Sequence, residues 1–175
     1  MSFLSSIFGS SPFGRKDDRA HVRPLWHRTV EIAREKPWYA GCGVADTVPG
    51  RFDAITLVLA LVLLRMEREE ALIEPSVRLT EIFVEDMDGQ LRESGVGDIV
   101  VGKHIGRLMS VLGGRLGAYR EALPLGEAAM TEAVTRNVTL IEGGEPGKVA
   151  RRAIALAVQL DGMSADNVLA ARFPR

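Results

Sequence analysis

Residues Asp46 to Leu64 read DTVPGRFDAITLVLALVLL, a turn signal that opens directly onto an almost uninterrupted apolar run. Asp46, Pro49, Gly50 and Asp53 are turn and cap formers, and the Asp53 carboxylate is expected to accept orphan N–H groups of the turn that follows it. Between Ala54 and Leu64 only Thr56 is polar, so a helix here has no broad wet face. Such a helix is either the centre of a helical bundle or a membrane span. At helical rise the run reaches roughly 16 Å against a hydrocarbon core of about 30 Å. Arg65, Glu67, Arg68, Glu69 and Glu70 follow at once. The reading is therefore a buried central helix over 53–70.

Working outward, the 175 residues and 46% hydrophobic content suit one domain with an ample core. Aromatics are sparse at 6%, Ala, Leu, Val, Glu and Arg dominate, and no alternating strand patterns bounded by hairpin turns occur. The expected class is all-α, a single compact bundle of about six or seven helices. The single Cys42 excludes an internal disulfide and a thiolate zinc site, which suits a reducing compartment. The first residues lack the pattern of a secretory signal, and Asp17 and Asp18 argue against a transit peptide. A bacterial cytoplasmic location follows as the expectation.

The net charge of −1 conceals an uneven distribution: +3 over 1–45, −6 over 46–95 and +2 over 96–175. An acidic middle argues against a general nucleic-acid surface. Residues 1–20 read as a flexible tail whose Phe3, Leu4, Ile7 and Phe8 form a short apolar turn suited to touching a bilayer, with Arg15, Lys16 and Arg19 near lipid phosphates. The domain proper is expected over 21–175. Its helices are placed from Pro24 to about Lys36, from Pro75 to Ser94, from Gly102 to Ala122, from Pro124 to about Glu142, from Lys148 to Leu160 and from Ala165 to Arg172. The glycines at 106, 113, 114 and 117 are costly inside a helix and suggest close helix approach or a bend.

Each candidate chemical motif has a plainer reading. In FVEDMD, Glu85, Asp86 and Asp88 would crowd negative charge, yet successive helical positions point in different directions, so a solvated acidic face is favoured over a site. With Glu81 that face becomes a docking patch for a basic partner segment. His21, His27, His104 and Cys42 lack local ligand spacing, and Cys42 reads as a small buried residue. GVGDIVVGK, with Gly95, Gly97, Asp98 and Lys103 in or beside it, resembles a phosphate loop only loosely: Lys103 has no following Ser or Thr and no strand precedes it. The same loop is too long for a DNA-reading helix-turn-helix built on Lys103 and Arg107.

Together, DTVPGRFD with its apolar helix, FVEDMDGQLRESGVGD, and VGKHIGRLMSVLGGRLGAY resemble the ubiquinol-cytochrome c chaperone family. The resemblance runs from about Pro24 to Leu123 and continues more weakly through Arg136 to Val138. It departs from the family pattern at Pro49, at His104 and Gly106, and at Gly113. The resemblance implies an all-helical, non-enzymatic assembly factor for the cytochrome bc1 complex, acting on newly made cytochrome b or another bc1 subunit. A second assembly factor or the ribosome is a further implied partner, and the implied place is the inner face of the cytoplasmic membrane. No cofactor and no metal are called for. The residues that carry the match or would meet the partner are Asp46, Thr47, Arg51, Phe52, Glu81, Glu85, Asp86, Asp88, Asp98, Lys103 and Arg107, with Gly50, Asp53, Gly95 and Gly97 as structural turns. The competing expectations are a small-molecule or haem-binding helical protein, or an enzyme, using His104 and the 95–103 loop, and a general adaptor for membrane-protein biogenesis.

Overall fold

In the computed structural model, residues 19–93 and 98–173 are described, with side chains outside 91–104. Seven α-helices occur among them: α1 Arg23–Ala33, α2 Val48–Met66, α3 Ile73–Glu93, α4 Asp98–Ala122, α5 Glu127–Asn137, α6 Pro146–Asp161 and α7 Ala165–Leu169. Short helical turns at Ala20–Val22, Glu70–Leu72 and Leu123–Leu125 join them, and Pro37–Gly41 forms one π-helical turn. The all-α expectation holds. The only pairing of extended backbone among the described residues is an antiparallel bridge between Val44 and Leu140.

Helix α2 is the axis, packed against α1, α3, α4 and α6, while α5 and α6 form a close pair beside it. Every residue from Asp53 to Met66 is buried, which is why this segment needs no polar face. The placement at 53–70 requires correction, since the helix spans Val48–Met66. Its N-cap is Thr47, whose Oγ1 accepts the Gly50 N–H at 3.3 Å, and Pro49 stands in the first turn, where its missing N–H costs nothing. Asp53 therefore lies a turn and a half inside the helix and does not cap it. None of the helices is long and apolar enough to cross a membrane among the described residues.

The far end of α2 carries a buried cation. Arg65 donates from Nε to the Leu160 carbonyl at 3.1 Å and from Nη2 to the Met163 carbonyl at 2.6 Å and to Glu69 at 2.8 Å. Carbonyls at the end of α6 lack intrahelical partners and lie at the negative pole of its dipole, so a guanidinium satisfies both needs. A charge that ends the apolar run in sequence is thus part of the core in space.

Two other readings of the chain change. On α4, Leu108, Leu112 and Leu116 face the core as expected. A Cβ added at Gly106, Gly114 or Gly117, however, would meet nothing within 4 Å, so no close helix approach explains these glycines. The element placed from Pro124 to Glu142 stops at Asn137, and Val138 continues extended toward the bridge with Val44. Residues 1–18 of the tail, with its apolar turn, lie outside the described residues, while Arg19 is docked on α3 and Ala20 begins the Ala20–Val22 turn.

Candidate functional site

The turn before α2 is held by short-range bonds. Arg51 Nε lies 2.6 Å from Asp46 Oδ1, both side chains being more than half exposed, and this hydrogen bond holds the Asp46 carboxyl below the usual carboxylate range. Gly50 is required by backbone proximity: a Cβ there would sit 2.0 Å from the Ala45 carbonyl oxygen. Ala45 in turn donates its N–H to the Thr139 carbonyl at 2.9 Å, which binds the turn to the extended segment after α5. Val48 projects from the same turn and is 84% exposed. Asp46, Thr47, Val48 and Arg51 are therefore on the surface, while Gly50 and Asp53 face inward.

Asp53 joins three elements. Its Oδ2 accepts the Thr139 N–H at 2.8 Å and the Thr139 hydroxyl at 2.7 Å, and its Oδ1 faces Arg115 Nη2 of α4 at 2.5 Å. Arg115 also donates to the Thr56 hydroxyl, one turn along α2, and its guanidinium lies 5.4 Å from the centre of the Phe52 ring. Phe52 continues the contact to Phe83 of α3, with ring centres 6.4 Å apart. A buried carboxylate is tolerated because each oxygen has donors and a counter-charge adjoins it. Tyr119, one turn beyond Arg115, is fully buried, and its hydroxyl has no hydrogen-bond partner among the described residues.

The acidic face of α3 is partly paired within the chain. Arg19 reaches Glu81 at 3.2 Å and Glu85 at 2.7 Å, and Arg78 reaches Glu74 at 2.7 Å and Glu81 at 3.3 Å. Asp86 is set apart from this face: it accepts the Trp26 Nε1–H at 2.7 Å and fixes that ring edge-on to Phe83. Arg19 thus engages carboxylates rather than standing free in the tail. Asp88 is half-buried.

Arg107 is exposed on α4. Gly95 and Gly97 lie outside the described residues, as do the side chains of Asp98, Lys103 and His104. The geometry therefore brings together Asp46, Thr47, Gly50, Arg51, Phe52 and Asp53 as one unit, linked to the α3 face through Phe83. Sequence reasoning missed Arg115 and Thr139, the partners of Asp53. The available signal was an aspartate standing directly before an all-apolar run, since a buried carboxylate demands a cation from elsewhere in the chain. Among the described residues no group of three or more His, Cys, Asp or Glu is arranged to hold a metal ion. Cys42 is buried as expected, and burial pushes its thiol pKa up.

One further surface has the form of a binding site. A groove of about 510 Å³ lies between the C-terminal ends of α2, α4 and α6, floored by Leu64, Leu123, Ile154 and Ala157. Ion pairs rim it, Glu67 with Arg120 at 2.7 Å and Arg68 with Asp161 at 2.8 Å. Val158 on its wall is 65% exposed, and Leu125, in the turn that supplies Leu123, is 75% exposed.

Comparison with known proteins decides the family. The profile of the ubiquinol-cytochrome c chaperones matches residues 40–174, a span that holds the Asp46 turn, α2, the acidic helix and α4. The chain belongs to the ubiquinol-cytochrome c chaperone family. The match begins at residue 40, later than the motif resemblance over 24–123, and extends well past Leu123 to the C-terminal helices. As a member of the family the chain is also similar to a solved structure, the crystal structure of the Cbp3 homolog from Brucella abortus. The two are 31% identical, the alignment covers 88% of this chain and 87% of that one, and the TM-score is 0.76. No curated protein matches the chain.

Proposed function

We propose that this chaperone-family chain is a non-enzymatic assembly factor for the cytochrome bc1 complex that binds newly made cytochrome b at the inner face of the cytoplasmic membrane. The observation that carries the reading is the family match over 40–174, which includes every element of the Asp53 network. Such a task needs no catalytic group; it needs an apolar surface to cover client segments and charge to select them. The groove beside Val158 offers the first, and the α3 face, where Glu81 and Glu85 stand around Arg19, offers the second. Cytoplasmic flanks of membrane proteins are rich in Lys and Arg, which complements a segment carrying −6 over residues 46–95.

Affinity capture from growing cells, with translation running or arrested, tests this directly. Recovery of cytochrome b that depends on ongoing translation supports the proposal. Absence of cytochrome b under gentle crosslinking, or recovery of many unrelated membrane proteins in equal measure, counts against it and favours a general adaptor.

A further inference from the structure

A second cavity, of about 230 Å³, lies between α1, the Pro37–Gly41 turn, α6 and Phe173. Its apolar lining comes from Ile32, Leu156 and Phe173, all buried. Two guanidiniums, those of Arg28 and Arg152, and a single carboxylate, that of Glu35, supply the charge. Arg152 is stacked 4.8 Å from the centre of the Trp38 ring and gives one Nη2–H to Glu35 at 2.6 Å. Its Nε is buried and has no hydrogen-bond partner among the described residues. The Trp38 indole N–H is already committed to the Ile32 carbonyl at 2.8 Å, so that side chain contributes only its ring.

Chemistry then narrows the occupant. A guanidinium N–H held away from water without an acceptor is unfavourable, and an ionised acceptor relieves it most strongly. Glu35 uses only part of the donor set of Arg152, and Arg28 gives one Nη1–H to the exposed Glu31 at 3.2 Å. The lining itself therefore carries two guanidiniums and one carboxylate next to an apolar wall, the second carboxylate, that of Glu31, standing outside it. The volume is below the range of drug-sized sites and suits one small group. The geometry points to a binding site for a carboxylate on a short apolar or aromatic stem, with the carboxylate between Arg28 and Arg152 and the stem against Ile32, Leu156 and Phe173. The same chemistry is presented by a free organic acid and by the C-terminal end of a peptide. This site is separate from the Asp53 network and does not depend on the assembly role.

Amide spectra of the full chain, followed during titration, test the site. The probes are phenylacetate, its neutral isostere phenylacetamide, and a short peptide ending in Phe with either a free or an amidated terminus. A free carboxylate should shift the Trp38 indole N–H and the α6 amides saturably, and the neutral probe should bind about tenfold more weakly. Arg28→Gln, a change at a half-buried position on α1, should weaken carboxylate binding severalfold while leaving the rest of the spectrum in place. Saturation by phenylacetate identifies a free acid as sufficient, and saturation by the free-terminus peptide alone identifies a chain end. Equal binding of charged and neutral probes overturns the proposal. So do the absence of a saturable shift with either carboxylate and unchanged binding in Arg28→Gln.

Discussion

Asp53 of α2 and Arg115 of α4 meet with Oδ1 and Nη2 2.5 Å apart, the two side chains only 8% and 12% exposed. The pair is deeply enclosed on both sides, and it ties the family's turn to a helix more than sixty residues away. Thr139 completes the site by giving both its N–H and its hydroxyl to the other carboxylate oxygen.

Breaking this pair from one side should be costly. Asp53→Asn keeps the shape but strands a buried guanidinium, and a loss of about 3 kcal/mol or more is expected. Urea unfolding reads it as a lower midpoint. Combining Asp53→Asn with Arg115→Met should cost less than the two single changes together, because the second change removes the stranded charge. An unaltered midpoint in Asp53→Asn would show that Arg115 has another adequate acceptor.

Two glycine classes should respond in opposite directions. Gly50→Ala places a Cβ against the Ala45 carbonyl and should lower stability by about 1–3 kcal/mol through forced backbone movement. Gly114→Ala, on an open face of α4, should raise it by about 0.5–1 kcal/mol. Thermal unfolding of the two variants decides the matter: an unchanged or raised midpoint in Gly50→Ala would contradict the close approach there, and a lowered one in Gly114→Ala would contradict the open face of α4.

Alkaline pH should unfold the chain by a definite route. Burial raises the pKa of Cys42 above its ordinary 9.0 and those of Tyr39 and Tyr119 above their ordinary 10.0. Each group then favours its protonated form in the fold, so its contribution is complete below the ordinary value and is lost as pH rises through and beyond it. Stability should accordingly decline from about pH 9 upward, with a steeper part above pH 10. Tyr119→Phe removes a buried hydroxyl that has no partner among the described residues and should be neutral or stabilising at pH 7 while flattening the steeper part. Chemical unfolding measured across this range checks both statements, and a substantial loss at pH 7 would reveal a bond made by the Tyr119 hydroxyl.

The acidic face should matter for capture more than for folding. Partly exposed pairs such as those of Arg19 with Glu81 and Glu85 contribute about 1 kcal/mol or less, so Arg19→Ala should still fold. Freeing those carboxylates should increase recovery of cytochrome b, and charge reversal at Glu81, Glu85 and Asp88 should decrease it. Unchanged recovery after the reversal would remove this face from the proposed client surface.

Val158→Asp tests the groove independently. The side chain is largely exposed, so the fold should be unaffected, while recovery of the client should fall severalfold if an apolar segment lies against it. Normal recovery would move the apolar contact elsewhere.

Several elements were readable from residue order because they depend on near neighbours. The apolar run at 54–64 required burial on all sides, Pro24 marked the start of α1, and Ser164 caps α7 by accepting the Asn167 N–H. Errors arose where a short polar residue had two plausible partners. Residue order places Asp53 in the adjacent turn because local caps are common, yet Thr47 fills that place and the carboxylate turns inward. The glycines of α4 suggested a crowded crossing, but Gly106, Gly114 and Gly117 stand on an open face. Arg19 reads as part of the tail because nothing in its own neighbourhood points to Glu81 or Glu85.

By itself, the amino-acid sequence determined the helical class, the identity of the central helix and, through three motifs in register, the chaperone family. These rest on periodicity, caps and motif order, which act over a few residues or are preserved along the chain. Only the tertiary structure decided that Asp53 bridges α2, α4 and Thr139, that Arg65 closes the end of α6, and that Arg19 covers part of the acidic face. Such pairings join residues as far as 98 positions apart, and charge makes many partners compatible in sequence. Burial selects among them, because inside the fold a charge without its partner carries a free-energy cost that the same charge in water does not.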